Sequence, residues 1–223
     1  MAQNVLHLAK ELLARHYRLQ RDTPEGKWAT LMDIVLERGR WQPRHTDSDS
    51  IDESALRTPR ETAAISPARL ADLLDQAGFP GRKAGLLCAL AKWWLRNFGD
   101  NDADFAKLSL DRWQNDLRAI RGVNWELADR ILLHVGKLAV YPLDRGSMRI
   151  CARHGWMEIA AEYDEWQAFF AKGSQDADLD LALISEWFRR LGREFCGSRP
   201  KCDECPVKSL LPARGPLTIE NVE

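Results

Sequence analysis

Long apolar runs and a surplus of positive charge are both missing from this sequence. Apolar stretches such as Ile131–Leu133 and Leu181–Ile184 are far shorter than the roughly 20 residues that a membrane-spanning helix needs. The N-terminus shows no charged-then-apolar signal pattern, so we expect a cytoplasmic protein. The net charge of −1 and the pI of about 6.5 are not typical of nucleic-acid-binding domains, which are usually basic. Any nucleic-acid surface is therefore expected to be local.

Runs that alternate polar with β-branched residues, the pattern of β-strands, are missing as well. Apolar residues instead recur at helical spacing, and Ser66, Pro67 and Gly78 mark the start and stop of one helix. The segment from Arg40 to Ser54 loses this period and is predicted to be a loop. The fold class is therefore all-α, with helices expected near 5–13, 28–36, 66–78, 82–98, 109–120, 124–136, 144–154, 158–171 and 178–191.

The turn Gly122-Val123-Asn124 separates two of these helices. Glycine and asparagine are the residues that best tolerate a positive φ, and we expect both to adopt one here. The second helix would then present backbone amides and the positive end of its dipole to solvent, which is an anion site. An ordinary αα-hairpin with a tight connection explains the spacing equally well.

Residues 120–156, IRGVNWELADRILLHVGKLAVYPLDRGSMRICARHGW, resemble the signature of the helix-hairpin-helix DNA glycosylases of the endonuclease III superfamily. That signature is roughly L-P-G-V-G-x-K-T-A, followed by V-D-T-H-x-x-R-V-x-x-R. Residues 120–128 occupy the hairpin and Leu143-Asp144 the V-D position. Arg149, Ile150 and Arg153 fall on R-V-x-x-R, and no insertion breaks the register.

The resemblance implies a two-lobed, all-α fold with an active cleft between the lobes and Asp144 at the seam. One lobe would span 28–138 and carry the hairpin, and the other would combine 1–27 with 139–223. The hairpin amides would grip a DNA phosphate beside the damaged nucleotide. The DNA-binding residues expected on this basis are Gly122, Val123, Asn124, Trp125, Glu126, Arg38 and Arg145.

Two hairpin positions depart from the family pattern. Asn124 replaces the second glycine, and Glu126 replaces the lysine with which bifunctional members form a Schiff base. Without that amine the enzyme cannot form the Schiff base that leads to strand cleavage by β-elimination, so the resemblance implies a monofunctional enzyme. Glu126, Ala128 and Asp129 are similar to a branch that removes 3-methyladenine, which favours alkylated purines as substrates.

Asp144 occupies the position of the family's catalytic aspartate. A carboxylate beneath the deoxyribose stabilises the oxocarbenium-like transition state of N-glycosidic cleavage. An aspartate at a helix start is also a common N-cap, and that simpler role stays open. Asp33 lies near the position of a catalytic glutamate in the adenine-removing branch. Arg38 or Arg40 could fill the space left by an extruded base.

Three of the five cysteines crowd together as Cys196-x5-Cys202-x2-Cys205. This spacing is similar to the family's iron–sulfur loop, C-x6-C-x2-C-x5-C, but the fourth cysteine would fall at Leu211. Iron–sulfur clusters are commonly held by four thiolates. A [4Fe–4S] cluster with another fourth ligand, a three-iron or zinc site, and an empty loop all stay open. Zinc would also need a fourth ligand, and no histidine lies nearby in the sequence.

Basic residues surround both motifs and could together form a local phosphate-binding surface. They are Arg112, Arg118, Arg121, Arg145, Arg149, Arg153, Arg189, Arg190, Arg193, Arg199, Lys201 and Lys208. The leading hypothesis is a monomeric, nucleoid-associated glycosylase acting on double-stranded DNA with a damaged base. The alternatives are a catalytically impaired DNA-binding relative and a helical scaffold with no role on DNA.

Overall fold

The computed structural model describes residues 2–17, 26–37, 54–100, 103–173 and 179–218. Across these ranges helices are the only regular secondary structure, which confirms the all-α prediction. None of the helices within them is long and apolar enough to cross a bilayer. The α-helices are α1 (Ala2–His16), α2 (Lys27–Leu36), α3 (Ser54–Arg57), α4 (Pro59–Ala64), α5 (Pro67–Gln76), α6 (Ala84–Phe98), α7 (Leu110–Arg118), α8 (Trp125–His134), α9 (Arg145–Arg153), α10 (Tyr163–Gly173) and α11 (Leu181–Glu194).

The chain divides into two compact units. We call residues 22–138 the hairpin unit and residues 1–21 with 139–223 the split unit. In the hairpin unit, α4 and α5 pack on α6, while α8 packs on α7 and α2. Its core contains edge-to-face and tilted aromatic rings, with the Phe105 and Trp113 centroids 5.2 Å apart. The Trp113 indole also donates to the Phe105 carbonyl at 2.9 Å, which fixes the start of α7 against the core.

In the split unit, α9 packs against α11 and α1 packs against α10. Tyr141, in the segment that leads into α9, stacks on Phe170 of α10 with ring centroids 3.4 Å apart. The Gln167 side chain accepts the Tyr141 amide at 2.9 Å and donates to the Tyr141 carbonyl at 2.7 Å. The chain is thus held in a defined position three residues before α9 is capped.

Several helices differ from the sequence prediction. Helix α3 was not predicted, and α11 spans Leu181–Glu194 rather than 178–191. Helix α4 was not predicted, although Thr58 and Glu61 form a reciprocal capping box around Pro59, which is a recognised helix-start signal. Helix α10 begins at Tyr163 rather than at Glu158, because Glu165 folds back to accept the Glu162 amide at 2.8 Å. Of the predicted loop between residues 40 and 54, only Ser54 is described, and it begins α3.

Candidate functional site

The predicted hairpin is formed by α7, α8 and the exposed turn between them. Gly122 has φ +96°, a backbone conformation that residues with a Cβ adopt only under strain. Val123 is buried beneath the turn, and its amide donates to the Ile120 carbonyl at 3.0 Å. Gly122 and Asn124 are both exposed at the tip. The turn therefore presents backbone to solvent at the positive end of α8.

Asn124 does not adopt the predicted positive φ. Its φ is −92° and its ψ is 178°, so it is an extended N-cap residue. Its Oδ1 accepts the Leu127 amide at 2.8 Å, and this bond stabilises the extended conformation. Gly122 alone supplies the left-handed geometry of the turn. The Asn124 side chain thus uses one of the amides that an external anion could have bound.

Trp125 and Arg118 form a flat, cationic surface beside the turn. Trp125 is 48% exposed, and the Arg118 guanidinium carbon lies 3.3 Å from an indole ring centroid. The Arg118 Nε also donates to the Gln114 carbonyl at 3.1 Å, which holds the guanidinium over the ring. An aromatic face next to a fixed cation suits a sugar, a base or a phosphate of a nucleic acid. The sequence named Trp125 and Arg118 separately but did not predict that they stack.

Glu126, the residue at the lysine position, is half-buried in the first turn of α8. Asp129, one turn later, is fully buried and accepts a hydrogen bond from the Gln114 amide at 2.7 Å. This bond joins α7 to α8. Ala128 is also fully buried. Asp129 and Ala128 therefore serve the packing of the hairpin, and of this trio only Glu126 reaches the surface.

Asp144 caps α9 and is partly exposed. Its Oδ1 accepts the Ser147 amide at 2.6 Å, and the Ser147 hydroxyl lies 2.8 Å from the Tyr141 hydroxyl. Burial, and then the Asp144 charge, raise the pKa of the Tyr141 phenol well above its usual value, so it stays protonated. Across the described ranges no lysine or arginine forms an ion pair with Asp144. One oxygen of its carboxylate thus lies outside the cap bond.

Arg145, the first residue of α9, is exposed beside Asp144. Asp33 is half-buried in α2 of the hairpin unit and has interactions of its own. Arg38 and Arg40, the candidates for filling the space of an extruded base, lie outside the described residues. The chain leaves α2 through Glu37 at φ +52°.

Two arginines that were expected to face phosphate instead donate hydrogen bonds to the cysteine loop. Arg149 Nε donates to the Cys196 carbonyl at 2.9 Å. Arg153 Nη1 donates to the Gly197 carbonyl at 2.7 Å and lies 3.2 Å from the Cys196 sulfur. Other basic residues of the expected surface form ion pairs, namely Arg112 with Asp116, Arg190 with Glu194 and Lys208 with Asp203. The positive surface left for DNA is smaller than the sequence indicated.

The three clustered cysteines line one small pocket. Leu211, at the position of the absent fourth cysteine, lines the same pocket, as does His154. The sequence placed no histidine nearby, but the fold brings His154 in from the end of α9. Its Nδ1 lies 2.8 Å from the Ile150 carbonyl and its Nε2 3.4 Å from the Val207 carbonyl, so both nitrogens face the backbone.

These donors do not fit a four-thiolate cluster. Leu211 offers only an aliphatic side chain, and no three His, Cys, Asp or Glu residues of the described chain are arranged to hold a metal ion. Burial raises the pKa of the Cys196 thiol, and it raises that of Cys205 to about 11. The pocket wall is instead completed by apolar packing and by the arginine bonds to the loop carbonyls.

No family model matches the chain. A candidate DNA repair glycosylase of Methanocaldococcus jannaschii is 31% identical over 149 residues, which span 65% of this chain and 66% of that protein. Endonuclease III of Sulfolobus acidocaldarius is 27% identical over 131 residues, 57% of each chain. The chain thus spans about two thirds or less of these relatives. A solved endonuclease III–DNA complex has the same fold, with a TM-score of 0.66 over 95% of each chain at 16% identity.

Proposed function

We propose that this chain, which belongs to the helix-hairpin-helix endonuclease III superfamily, is a monofunctional DNA N-glycosylase of base excision repair. The observation that carries the proposal is the state of Asp144. It is a partly exposed carboxylate, oriented by a helix cap and paired with no cation among the described residues. It also stands in ungapped register with a hairpin whose tip presents backbone to solvent.

The proposed reaction is hydrolysis of the bond between C1′ of a deoxyribose and the nitrogen of a damaged base. As that bond breaks, its electron pair leaves with the base and positive charge grows on the sugar. The Asp144 carboxylate stabilises this charge electrostatically. A water molecule then forms the new C1′–O bond, its proton passes to solvent or to the departing base, and an abasic site remains.

The start of α8 would hold the DNA backbone during this reaction. A phosphate near Gly122 would meet the positive end of the helix dipole. Arg118 and Trp125 would add a cation and an aromatic face beside it. The proposed partner is double-stranded DNA bound by a monomer, which implies a nucleoid location in the cytoplasm.

Strand cleavage is not part of the proposal, because Glu126 supplies no amine for a Schiff base. Alkylated purines are the first substrates to test. The resemblance behind that choice now depends on Glu126 alone, since Ala128 and Asp129 are buried in the hairpin.

The test uses duplexes that carry alkylated, oxidised, deaminated or mismatched bases. After incubation, hot alkali cleaves any abasic site and reveals base release. The proposal predicts base release from at least one lesion. The resulting abasic site should appear as a strand break after alkali treatment, and no strand break should appear without alkali. Absence of product on every lesion, with DNA binding retained, would establish the second candidate, a DNA-binding relative without catalysis. The Asn124 cap favours that candidate, because it uses a helix amide that a phosphate could bind.

We assign no step of the reaction to an iron–sulfur cluster, because the donor set does not fit one. Replacing Leu211 with cysteine would complete a four-thiolate set in the same pocket. After treatment with iron and sulfide, we expect Leu211→Cys to gain iron and absorbance at about 400 nm. Equal iron and absorbance in the unsubstituted protein would show that a three-cysteine cluster forms.

A further inference from the structure

Helices α9 and α11 meet at two glycines, with their backbones in direct contact. A Cβ built on Gly192 of α11 would lie 2.8 Å from the Gly146 Cα of α9. A Cβ built on Gly146 would lie 3.4 Å from the Gly192 Cα and 3.1 Å from the Asp144 Oδ1. Because the atoms in the way at Gly192 belong to backbone, a side chain there has to move a helix.

The contact falls on the turn that Asp144 caps. Gly146 lies between Asp144 and Ser147, whose amide bonds the Asp144 carboxylate at 2.6 Å. The other side of this turn is fixed by the hydroxyl contact between Ser147 and Tyr141. A shift of the Gly146 backbone therefore changes the distance and angle of the cap bond, and with them the direction of the carboxylate.

We propose that Gly192 is a positioning residue for the Asp144 carboxylate. Its missing side chain allows α11 to support the first turn of α9 at backbone contact. The kinetic consequence rests on the proposed function, because it requires that Asp144 acts on a sugar. The geometric consequence does not, since it concerns only the bond between Asp144 and Ser147.

Gly192→Ala tests both consequences. Hydrogen exchange at the Ser147 amide should become faster by roughly tenfold, as expected for a loss of about 1.4 kcal/mol from its bond. Single-turnover base release should fall by roughly 100-fold, the usual effect of misplacing a catalytic group by about 1 Å. DNA binding should stay within about twofold, because the hairpin is in the other unit.

Gly85→Ala is the matched control, because Gly85 lies in a helix with nothing within 4 Å of its added Cβ. It should leave exchange at Ser147 and base release unchanged. If Gly192→Ala fails to fold, Gly146→Ala gives the same readouts with a smaller overlap and should show smaller changes of the same sign.

The outcomes separate the two proposals. Unchanged exchange at Ser147 and full base release in the folded Gly192→Ala protein would overturn the positioning role. If the unsubstituted protein releases no base from any lesion, the proposed function fails, yet the exchange rates still decide the positioning role. Slower base release with unchanged exchange at Ser147 would also contradict the positioning role, because the loss of activity would then not depend on the bond between Asp144 and Ser147.

Discussion

Helices α8 and α9 begin with the same capping geometry but with caps of different charge. Asn124 Oδ1 accepts the Leu127 amide at 2.8 Å, and Asp144 Oδ1 accepts the Ser147 amide at 2.6 Å. A carboxylate cap places a negative charge directly at the positive end of a helix dipole, whereas a neutral cap does not. The cap of α9 therefore carries an anion of its own, while at α8 the nearest carboxylate is Glu126, two residues beyond an uncharged cap.

The two helix starts also differ in how firmly they are held. At α8 the tip of the turn is exposed, and its conformation depends on Gly122. At α9 the cap is supported by Tyr141 and Ser147 on one side and by the glycine contact with α11 on the other. One capping motif thus serves two purposes. A phosphate site tolerates an adaptable exposed turn, while a catalytic carboxylate requires a fixed direction.

Giving α9 a neutral cap, like that of α8, should have the largest effect. Asp144→Asn keeps the cap bond, because asparagine and aspartate cap helices about equally well, but it removes the charge. Base release should fall by roughly 10²- to 10³-fold, measured in single turnovers on the best lesion. DNA affinity and the unfolding midpoint should stay the same. Undiminished base release would remove Asp144 from the reaction.

Distorting the turn before α8 should have the next largest effect. Gly122→Ala places a Cβ at φ +96°, which costs about 1–2 kcal/mol and moves the tip of the turn. DNA affinity and the free energy of unfolding should both decrease, as measured by anisotropy and by urea titration. Gly99→Ala, at φ +65° with open space around it, should lower stability alone. If both variants weaken DNA binding equally, the turn has no specific role in it.

Giving α8 a negatively charged cap, like that of α9, should have a smaller effect. Asn124→Asp keeps the cap and adds a negative charge where a phosphate is expected, which should weaken DNA binding by about 0.3–1 kcal/mol. Because salt screens exposed charges, the difference from the unsubstituted protein should shrink as salt is raised. Tighter binding, or a difference that salt does not change, would show that no phosphate approaches this end of α8.

Weakening the support of the Asp144 cap should affect stability and leave DNA binding unchanged. Tyr141→Phe removes the hydroxyl that lies 2.8 Å from the Ser147 hydroxyl and keeps the ring on Phe170. The expected loss of stability is about 1 kcal/mol, read from the urea midpoint. An unchanged urea midpoint would show that the hydroxyl pair does not hold the turn.

Local signals in the sequence predicted what depends on neighbouring residues. Ser66 and Pro67 begin α5 as expected, with the Ser66 hydroxyl accepting the Arg69 amide. The capping box at Thr58 carried an equally local signal for α4. Asn124 shows the limit of such signals, because asparagine favours both a positive φ and an N-cap. Only the bond to Leu127 distinguishes the two.

Features of the candidate site that depend on distant residues could not be predicted. His154 reaches the cysteine pocket because α9 carries it there, 42 positions before Cys196 in the chain. The bonds from Arg149 and Arg153 to the cysteine loop likewise join residues more than 40 positions apart. Gly192 shows no local pattern at all, since its role comes from the crossing of two helices. Sequence spacing contains no information about such crossings.

The most direct test of the proposed role of Asp144 is a crystal structure of the Asp144→Asn variant bound to a duplex with a damaged base. We expect a DNA phosphate at the start of α8, near Gly122, and the residue 144 side chain facing C1′ of the extruded nucleotide in the same complex. A duplex bound with the start of α8 in contact with solvent, or with residue 144 turned away from every sugar, would contradict it.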